Sequence, residues 1–370
     1  MKIGIITWFG GPNYGTNLQA IALQRYLRNC GYHVEIINFS PPEPAQKIKK
    51  TFWQRVANQP QKYADKYSNK KYKEEITQKL YKIESEVNKN CVFTENVKDE
   101  SDYIRICNEF DILIFGSDQI WNPNWYHKYY YADYPEIKAK KVSYAPSLGV
   151  LCINKDQEIN IRGSLQSFSS VSVRENQGAD IIENITGSRP QVVMDPTFLL
   201  DAQQWEDVLE IPQSPNEGYV LSMFLTDNSH HWRAAEKFAK CHHLKHIILP
   251  YTGFSYMQRG EIKPDIGLRE LLSLIKGAQF ILTDSFHITV FSIIFGREFY
   301  TFMRFKDDGF TSQNTRVINL LELSGLQERM LPYSSCTISE KHNINYDEVT
   351  NKLSNEISKS KQYLNEAIER

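Results

Sequence analysis

The sequence predicts an α/β protein of two Rossmann-like domains. Three observations carry this. Short β-branched runs alternate with amphipathic segments along most of the chain. The runs end in small, polar loops, which is how strands feed helices in parallel sheets. The alternation is broken near Asp195-Pro196-Thr197-Phe198 and then begins again. A length of 370 residues allows two domains, each with its own core.

The first unit opens with the run Lys2 to Thr7, which is too short for a signal peptide and reads as a strand. The loop Phe9-Gly10-Gly11-Pro12-Asn13-Tyr14-Gly15 follows. A helix comes next, because Ala20, Leu23, Leu27 and Cys30 recur at spacings of three and four, and Gly31 stops it. Val34 to Phe39 is the second strand. From Gln46 to about residue 100 the pattern changes to a helical insertion. Lys47, Lys49, Lys50, Arg55, Lys62, Lys66, Lys70, Lys71 and Lys73 dominate it, with Phe52, Trp53, Val56, Tyr63, Tyr67 and Tyr72 interleaved. This is either a solvated hairpin or a basic, aromatic face for an anionic membrane surface. The sheet resumes with strands at 110–115, 141–145, 171–174 and 191–194, and a helix at 175–183.

The second unit repeats the theme. Strands are expected at 219–225, 245–249, 280–283 and 298–302. Helices are expected at 231–240, 268–276 and 317–323, and one long charged helix over 346–370. The strand at Phe280 to Thr283 leads into a loop, Asp284-Ser285-Phe286-His287, and then into an apolar helix from Ile288 that Gly296 ends. Domains of 1–194 and 195–370 with a terminal helix suggest a glycosyltransferase-B-like architecture, its active site in the cleft between the domains.

Composition narrows function. Lysine plus arginine number 43 against 44 acids, which disfavours a general nucleic-acid binder. The six cysteines show no metal-ligand or disulfide spacing and suit a cytoplasmic protein. No apolar run reaches about 18 residues, so no membrane span is expected. The histidines His230, His231, His242, His243 and His246 lack accompanying carboxylates. They read as exposed loop residues, and no metal site is expected.

Candidate ligand-binding residues sit at strand ends. Asn13, Tyr14, Asn17 and Gln19 lie in or after a glycine loop at a helix N-terminus, with amides suited to sugar hydroxyls. Asp118, Gln119 and Trp121, in Gly116-Ser117-Asp118-Gln119-Ile120-Trp121-Asn122, can hydrogen-bond and stack a pyranose. Arg174 can hold a carboxylate or phosphate. Arg297, Arg304, Lys306 and Arg316 lie downstream of His287. The loop histidine, His287, is either a site residue or a cap on the buried helix that follows.

Taken in order, the glycine loop with Leu18-Gln19-Ala20, the segment Phe115 to Pro123, Ser172-Val173-Arg174-Glu175, Asp195-Pro196-Thr197-Phe198 and Thr283-Asp284-Ser285-Phe286-His287 resemble the polysaccharide pyruvyl transferase family. The resemblance implies phosphoenolpyruvate as donor and a saccharide or lipid-linked saccharide as acceptor. It implies a cyclic pyruvate ketal as product, made for capsule or exopolysaccharide, and no metal or redox cofactor. It implies His287 as the active-site histidine and Arg174 as a donor-binding residue, joined by Ser285, Arg304 and Arg316. The C-terminal domain is then the donor side and the N-terminal domain the acceptor side. One departure stands out. Family members carry Arg-Leu-His where this chain has Ser285-Phe286-His287. The alternative is a glycosyltransferase that uses a nucleotide sugar. The expected location is cytoplasmic, with peripheral contact at the inner face of the membrane through the basic insertion.

Overall fold

The computed structural model describes residues 1–40, 59–215, 217–306 and 314–369. Six strands build the first sheet: β1 (Lys2–Ile6), β2 (His33–Asn38), β3 (Phe93–Asn96), β4 (Ile112–Phe115), β5 (Lys140–Ser143) and β6 (Phe168–Ser170). A short parallel pair follows, β7 (Ser172–Val173) and β8 (Gln191–Val192). The second sheet holds β9 (Tyr219–Met223), β10 (Lys245–Ile248), β11 (Glu261–Ile262), β12 (Phe280–Thr283), β13 (Glu298–Phe302) and β14 (Met330–Leu331). The spatial orders are β3-β2-β1-β4-β5-β6 and β11-β10-β9-β12-β13-β14. Both are the doubly wound permutation, with the first strand of each half beside its fourth. The two Rossmann-like domains with their glycosyltransferase-B-like arrangement are therefore as the alternating pattern predicts.

The helices are α1 (Tyr14–Asn29), α2 (Gln59–Lys71), α3 (Lys73–Asn90), α4 (Glu100–Cys107), α5 (Lys155–Leu165), α6 (Asn176–Thr186), α7 (Ala202–Leu209), α8 (Ser229–Cys241), α9 (Leu268–Gly277), α10 (Phe286–Ile294), α11 (Thr315–Ser324) and α12 (Tyr346–Glu369). The central strands are apolar throughout because helices cover both faces. Ile112, Leu113, Ile114 and Phe115 are all buried. The edge strands β3, β6, β11 and β14 escape a periodicity reading, since two to four residues carry too little pattern. The short helices α4 and α7 escape it for the same reason.

One expectation changes at the centre of the molecule. His287 was expected in a loop before a helix that starts at Ile288. The helix α10 instead begins at Phe286, with Ser285 as its N-cap, so His287 lies in the first turn. The bond from Thr289 N to the Ser285 carbonyl is already helical. The strand-to-helix turn is thus only Asp284 and Ser285 long. Every residue from Phe286 to Ile293 is buried, which fits a helix that is apolar on all sides.

Two devices tie the halves together. The C-terminal helix α12 packs Val349 and Leu353 in the second half, then runs back to the first. There Met194 N donates to Ser360 Oγ, and the Tyr363 hydroxyl donates to the Ser143 carbonyl. The insertion supplies the other device. Helix α2 packs on Gly253–Met257, where a Cβ at Gly253 would lie 2.4 Å from Asp65 N. Tyr72 meets Tyr256 with ring centroids 5.1 Å apart, and Lys82 Nζ pairs with Asp265 and Glu270 at 3.2 and 2.9 Å. Part of the aromatic face read from the sequence is therefore spent on the second half. Lys62, Lys66, Lys70 and Lys73 remain exposed. Lys47, Lys49, Lys50, Phe52, Trp53, Arg55 and Val56 lie outside the described residues. Among the described residues no helix is long and apolar enough to cross a membrane.

The joint between the halves is closed by Trp205. It is fully buried, meets Phe291 edge-on at 5.1 Å, and donates its indole N–H to the Thr197 carbonyl at 3.0 Å. Trp205→Ala should cost ~3–5 kcal/mol through the cavity and the orphaned carbonyl, read as a lower denaturant midpoint for the whole chain.

Candidate functional site

The site is assembled where four loops converge at the carboxyl ends of the sheets. The first loop turns through Gly10 and Gly11 at φ of +79° and +67°, values that favour glycine. Asn17 holds this turn from inside. Its Oδ1 accepts from Gly10 N at 2.7 Å, and its amide donates to the carbonyls of Gly11 and Asn13. Gln19 braces the loop from below, donating to Thr7, Trp8 and Thr16 and accepting from Ser117 N. Both amides are thus consumed within the chain, and neither residue has exposed surface. Asn13 caps α1 by accepting from Gly15 N and Thr16 N. Tyr14 is buried, and its hydroxyl donates to the Ile266 carbonyl across the domain junction.

The second loop brings Asp118 to the centre and sends its neighbour elsewhere. Asp118 adopts a left-handed φ of +60° and accepts from Thr16 Oγ1 at 2.7 Å. Trp121 points into the core, stacked on Tyr131 at 5.3 Å, and donates to the Tyr130 carbonyl. Gln119 accepts from Asn122 at 3.0 Å. The pyranose stacking expected of Trp121 is therefore not available to it: the ring is only 1% exposed.

Arg174 lies just after β7. Its Nη1 donates to Asp195 Oδ2 at 2.6 Å, and its Nη2 stands 3.9 Å from Asp118 Oδ1. Its guanidinium sits 4.7 Å from the centre of the Phe286 ring. Arg316, from the first turn of α11, lies 6.0 Å from the centre of the same ring. Asp195 also accepts from Ser117 Oγ and from Thr197. Glu175, beside Arg174, is buried too and accepts from Ser147 and from the backbone of Leu148 and Gly149. Buried polar atoms remain after these bonds. Arg174 Nε and Nη2, Glu175 Oε2 and His287 Nε2 have no hydrogen-bond partner among the described residues.

His287 crosses from the second half into this cluster. Its Nε2 is 3.8 Å from Asp195 Oδ2. Its other nitrogen faces the first turn of α1 so closely that a Cβ on Gly15 would lie 2.0 Å from Nδ1. Glycine is therefore required at 15 by close approach. Ser285 is buried, and its hydroxyl caps no backbone N–H. Asp284, one residue earlier, accepts from Leu225 N and Thr226 Oγ1. Arg304 lies on the same side of α10, and its charge acts on Asp284. Lys306 is exposed and sits over Tyr333.

Burial and charge set the proton affinities. Burial pushes the His287 imidazole below its ordinary range, Arg174 and Arg316 push the same way, and Asp195 and Asp118 oppose them. The ring is therefore neutral near pH 7. Burial works to raise Asp195, but Arg174 and then His287 outweigh it and keep the carboxylate ionised. Burial, reinforced by Arg174, lowers Arg316 to about 10, still charged at neutral pH. Burial raises Asp284.

Sequence reasoning named His287, Arg174, Arg316 and Asp118, which the fold brings together. It did not assign a role to Asp195, Thr16 or Phe286. An Asp followed by Pro and Thr reads as a turn, and its value as the shared partner of an arginine and a histidine appears only in three dimensions. Phe286, between Ser285 and His287, reads as core. The histidines between 230 and 246 depart from the expectation of exposed loop residues, and among them only His243 is exposed. His230 and His231 lie in α8, and His242 caps it half-buried. His246 is half-buried in β10, bonded to Ser222 Oγ and the Arg259 carbonyl. His231 is fully buried, not in an exposed loop, and is held by Asn228 and the Tyr333 carbonyl.

The model of the polysaccharide pyruvyl transferase family matches residues 13–304, which takes in Asp118, Arg174, Asp195 and His287 but not the Gly10–Gly11 turn or Arg316. The chain belongs to the polysaccharide pyruvyl transferase family. No curated protein matches it in sequence. Among solved structures it is similar to the UDP-GlcNAc 2-epimerase of Methanocaldococcus jannaschii, at 12% identity and a TM-score of 0.53, covering 96% of this chain and 92% of that one. It is also similar to MurG of Acinetobacter baumannii, at 8% identity and a TM-score of 0.43, covering 98% and 94%. At 12% identity the likeness to the epimerase is one of fold, the glycosyltransferase-B-like arrangement of two Rossmann-like halves.

For this pyruvyl transferase family member, the His287 imidazole should titrate below the range of an exposed histidine in NMR titrations of the folded protein. Removing the carboxylate in Asp195→Asn removes a term that favours the protonated ring. The titration should then move lower still, and the unpaired Arg174 should cost ~3–5 kcal/mol of stability. Gly15→Ala should leave the secondary structure intact by circular dichroism yet shift both His287 ring nitrogen resonances. Unchanged resonances would mean that the close approach is absent in solution.

Proposed function

We propose that the protein transfers pyruvate from phosphoenolpyruvate to two hydroxyls of one sugar, forming a cyclic ketal in cell-surface polysaccharide synthesis. One observation carries the reading. Among the described residues, buried N–H groups of Arg174 lack partners beside an imidazole whose Nε2 also lacks one. A buried polar group without a partner calls for a ligand. Arginine N–H groups around an imidazole suit a small anion with two charged ends that needs a proton.

The chemistry follows from the groups in place. A bound phosphoenolpyruvate adds negative charge beside His287 and raises its proton affinity, with Asp195 holding the imidazolium from 3.8 Å. The imidazolium protonates the methylene carbon of the donor, and the central carbon becomes electrophilic. The first sugar hydroxyl adds there and gives up its proton, which restores the imidazolium. Phosphate then leaves with the C–O bond electrons, and the second hydroxyl closes the ketal. Its proton ends on the departing phosphate. Cations facing the phosphate stabilise the charge that develops as the bond breaks.

The missing arginine at Ser285 is the feature that this reading must absorb. Arg316 approaches the Phe286 ring from α11, and Arg304 lies beside Asp284. We read these two as supplying, from the following segment, the cationic charge that the family carries at position 285. Ser285, His287, Arg304 and Arg316 would form the donor side, with Arg174 reaching it from the N-terminal half. The acceptor would enter past Asn13 and Tyr14. A lipid-linked acceptor would be met at the inner face of the cytoplasmic membrane, with Lys62, Lys66, Lys70 and Lys73 toward anionic headgroups.

Phosphoenolpyruvate should raise the melting temperature of the wild-type protein, and Arg174→Ala should remove that shift. His287→Ala should keep the shift but lower ketal formation ~10²–10⁴-fold, measured by mass analysis of acceptor products. A melting shift with nucleoside diphosphate sugars and none with phosphoenolpyruvate would replace this reading with nucleotide-sugar transfer.

A further inference from the structure

A second concavity adjoins the site, and the chemistry above makes no use of it. A cavity of about 460 Å³ opens beside the Gly10–Gly11 turn, past the carboxyl ends of β1 and β2 and against β3 and α3. Open parallel sheets take ligands at that end of their strands. Two partly exposed rings, Phe9 and Phe93, form one wall, with centroids 4.9 Å apart. Asn38, Glu84 and Asn88 supply its polar groups. None of these three side chains makes a hydrogen bond or ion pair with a described residue. Among the described residues no lysine or arginine lines the cavity.

This set of groups selects its ligand. A carboxylate with no cation among the described lining residues disfavours phosphates and carboxylates. Two amides and a carboxylate offer both donors and acceptors at fixed points, which is what hydroxyl groups need. Aromatic rings take the apolar C–H face of a pyranose. Gly10 and Gly11 have no atom within 4 Å of where a Cβ would stand, so the mouth stays open. The same turn is tied through Asn17 to Asn13, the cap of α1, and α1 abuts His287 through Gly15. A ligand in the cavity therefore lies on the loop that leads to the imidazole.

We propose that this cavity binds a neutral pyranose of the acceptor, with Glu84 and Asn88 bonding its hydroxyls and Phe93 against its face. This rests on the carbohydrate acceptor of the proposed function, and it names where that acceptor is held. The test is saturation-transfer NMR on the full-length protein with methyl glycosides of glucose, galactose, mannose and N-acetylglucosamine. Transfer to at least one glycoside is expected. Glu84→Ala and Asn88→Ala, both at exposed positions of α3, should weaken it about tenfold, the effect of one lost hydrogen bond to a bound ligand. Both variants should keep the wild-type melting temperature and its shift with phosphoenolpyruvate. No transfer to any glycoside, or transfer that both variants leave unchanged, would overturn the proposal. So would transfer to uridine diphosphate that both variants abolish, since a stacked base would then be the occupant. Loss of the phosphoenolpyruvate shift in the wild type, with glycoside transfer intact, would instead overturn the donor assignment and leave the sugar site standing.

Discussion

The site depends on one ion pair, Arg174 with Asp195, at 2.6 Å and almost without solvent. Neither charge would be tolerable alone at that depth. Together they fix a guanidinium against the Phe286 ring and leave part of it unbonded. Asp195 has a second duty, because the same oxygen that takes Arg174 faces His287. One carboxylate oxygen therefore sets the position of a cation from the first half and the proton affinity of a base from the second. Thr197 and Ser117 hold that carboxylate in turn, which is why the segment Asp195-Pro196-Thr197 turns as tightly as it does.

Around the pair, charge is arranged in alternation. Asp118 and Glu175 stand near the arginines, and Arg316 adds a second cation on the Phe286 ring. At the centre Arg174 keeps N–H groups, and Glu175 an oxygen, without a hydrogen-bond partner among the described residues. The neighbouring cavity has Glu84 and no lysine or arginine among its described lining residues. Two adjoining spaces that differ in this way suit the proposed reaction of an anionic donor with a neutral acceptor.

Much of this was legible in the sequence. The alternation of strand and helix gave both sheets, because central strands buried on two faces must be continuously apolar. His287, Arg174 and Asp118 were legible because polar residues after such strands are placed at ligand-binding ends. Other features were not. Asn17 and Gln19 look like ligand donors in sequence, yet Asn17 is taken up by the backbone of the Gly10–Gly11 turn and Gln19 by Thr7, Trp8, Thr16 and Ser117. Trp121 is chemically able to stack a sugar, but the aromatic residues near Tyr131 claim it first. The start of α10 at Phe286 was obscured by Asp284 and Ser285, which read as loop. His231 was misread because a histidine at a helix start looks exposed until Tyr333 closes over it.

The contact between Gly15 and His287 has a consequence for motion. The imidazole is borne by one half of the molecule and shielded by the other. A rotation that separates the halves would rehydrate the ring and take it away from Gly15 and Asp118. The dominant influence, loss of water, then disappears, and the ring returns toward the behaviour of a free histidine. By linkage, protonating the empty site favours the parted arrangement and deprotonating it favours the docked one. An anionic guest reverses that preference by stabilising the cationic ring in place. Domain docking, guest charge and proton uptake at His287 are thus one coupled equilibrium, and the absence of a side chain at residue 15 is what brings its parts into contact.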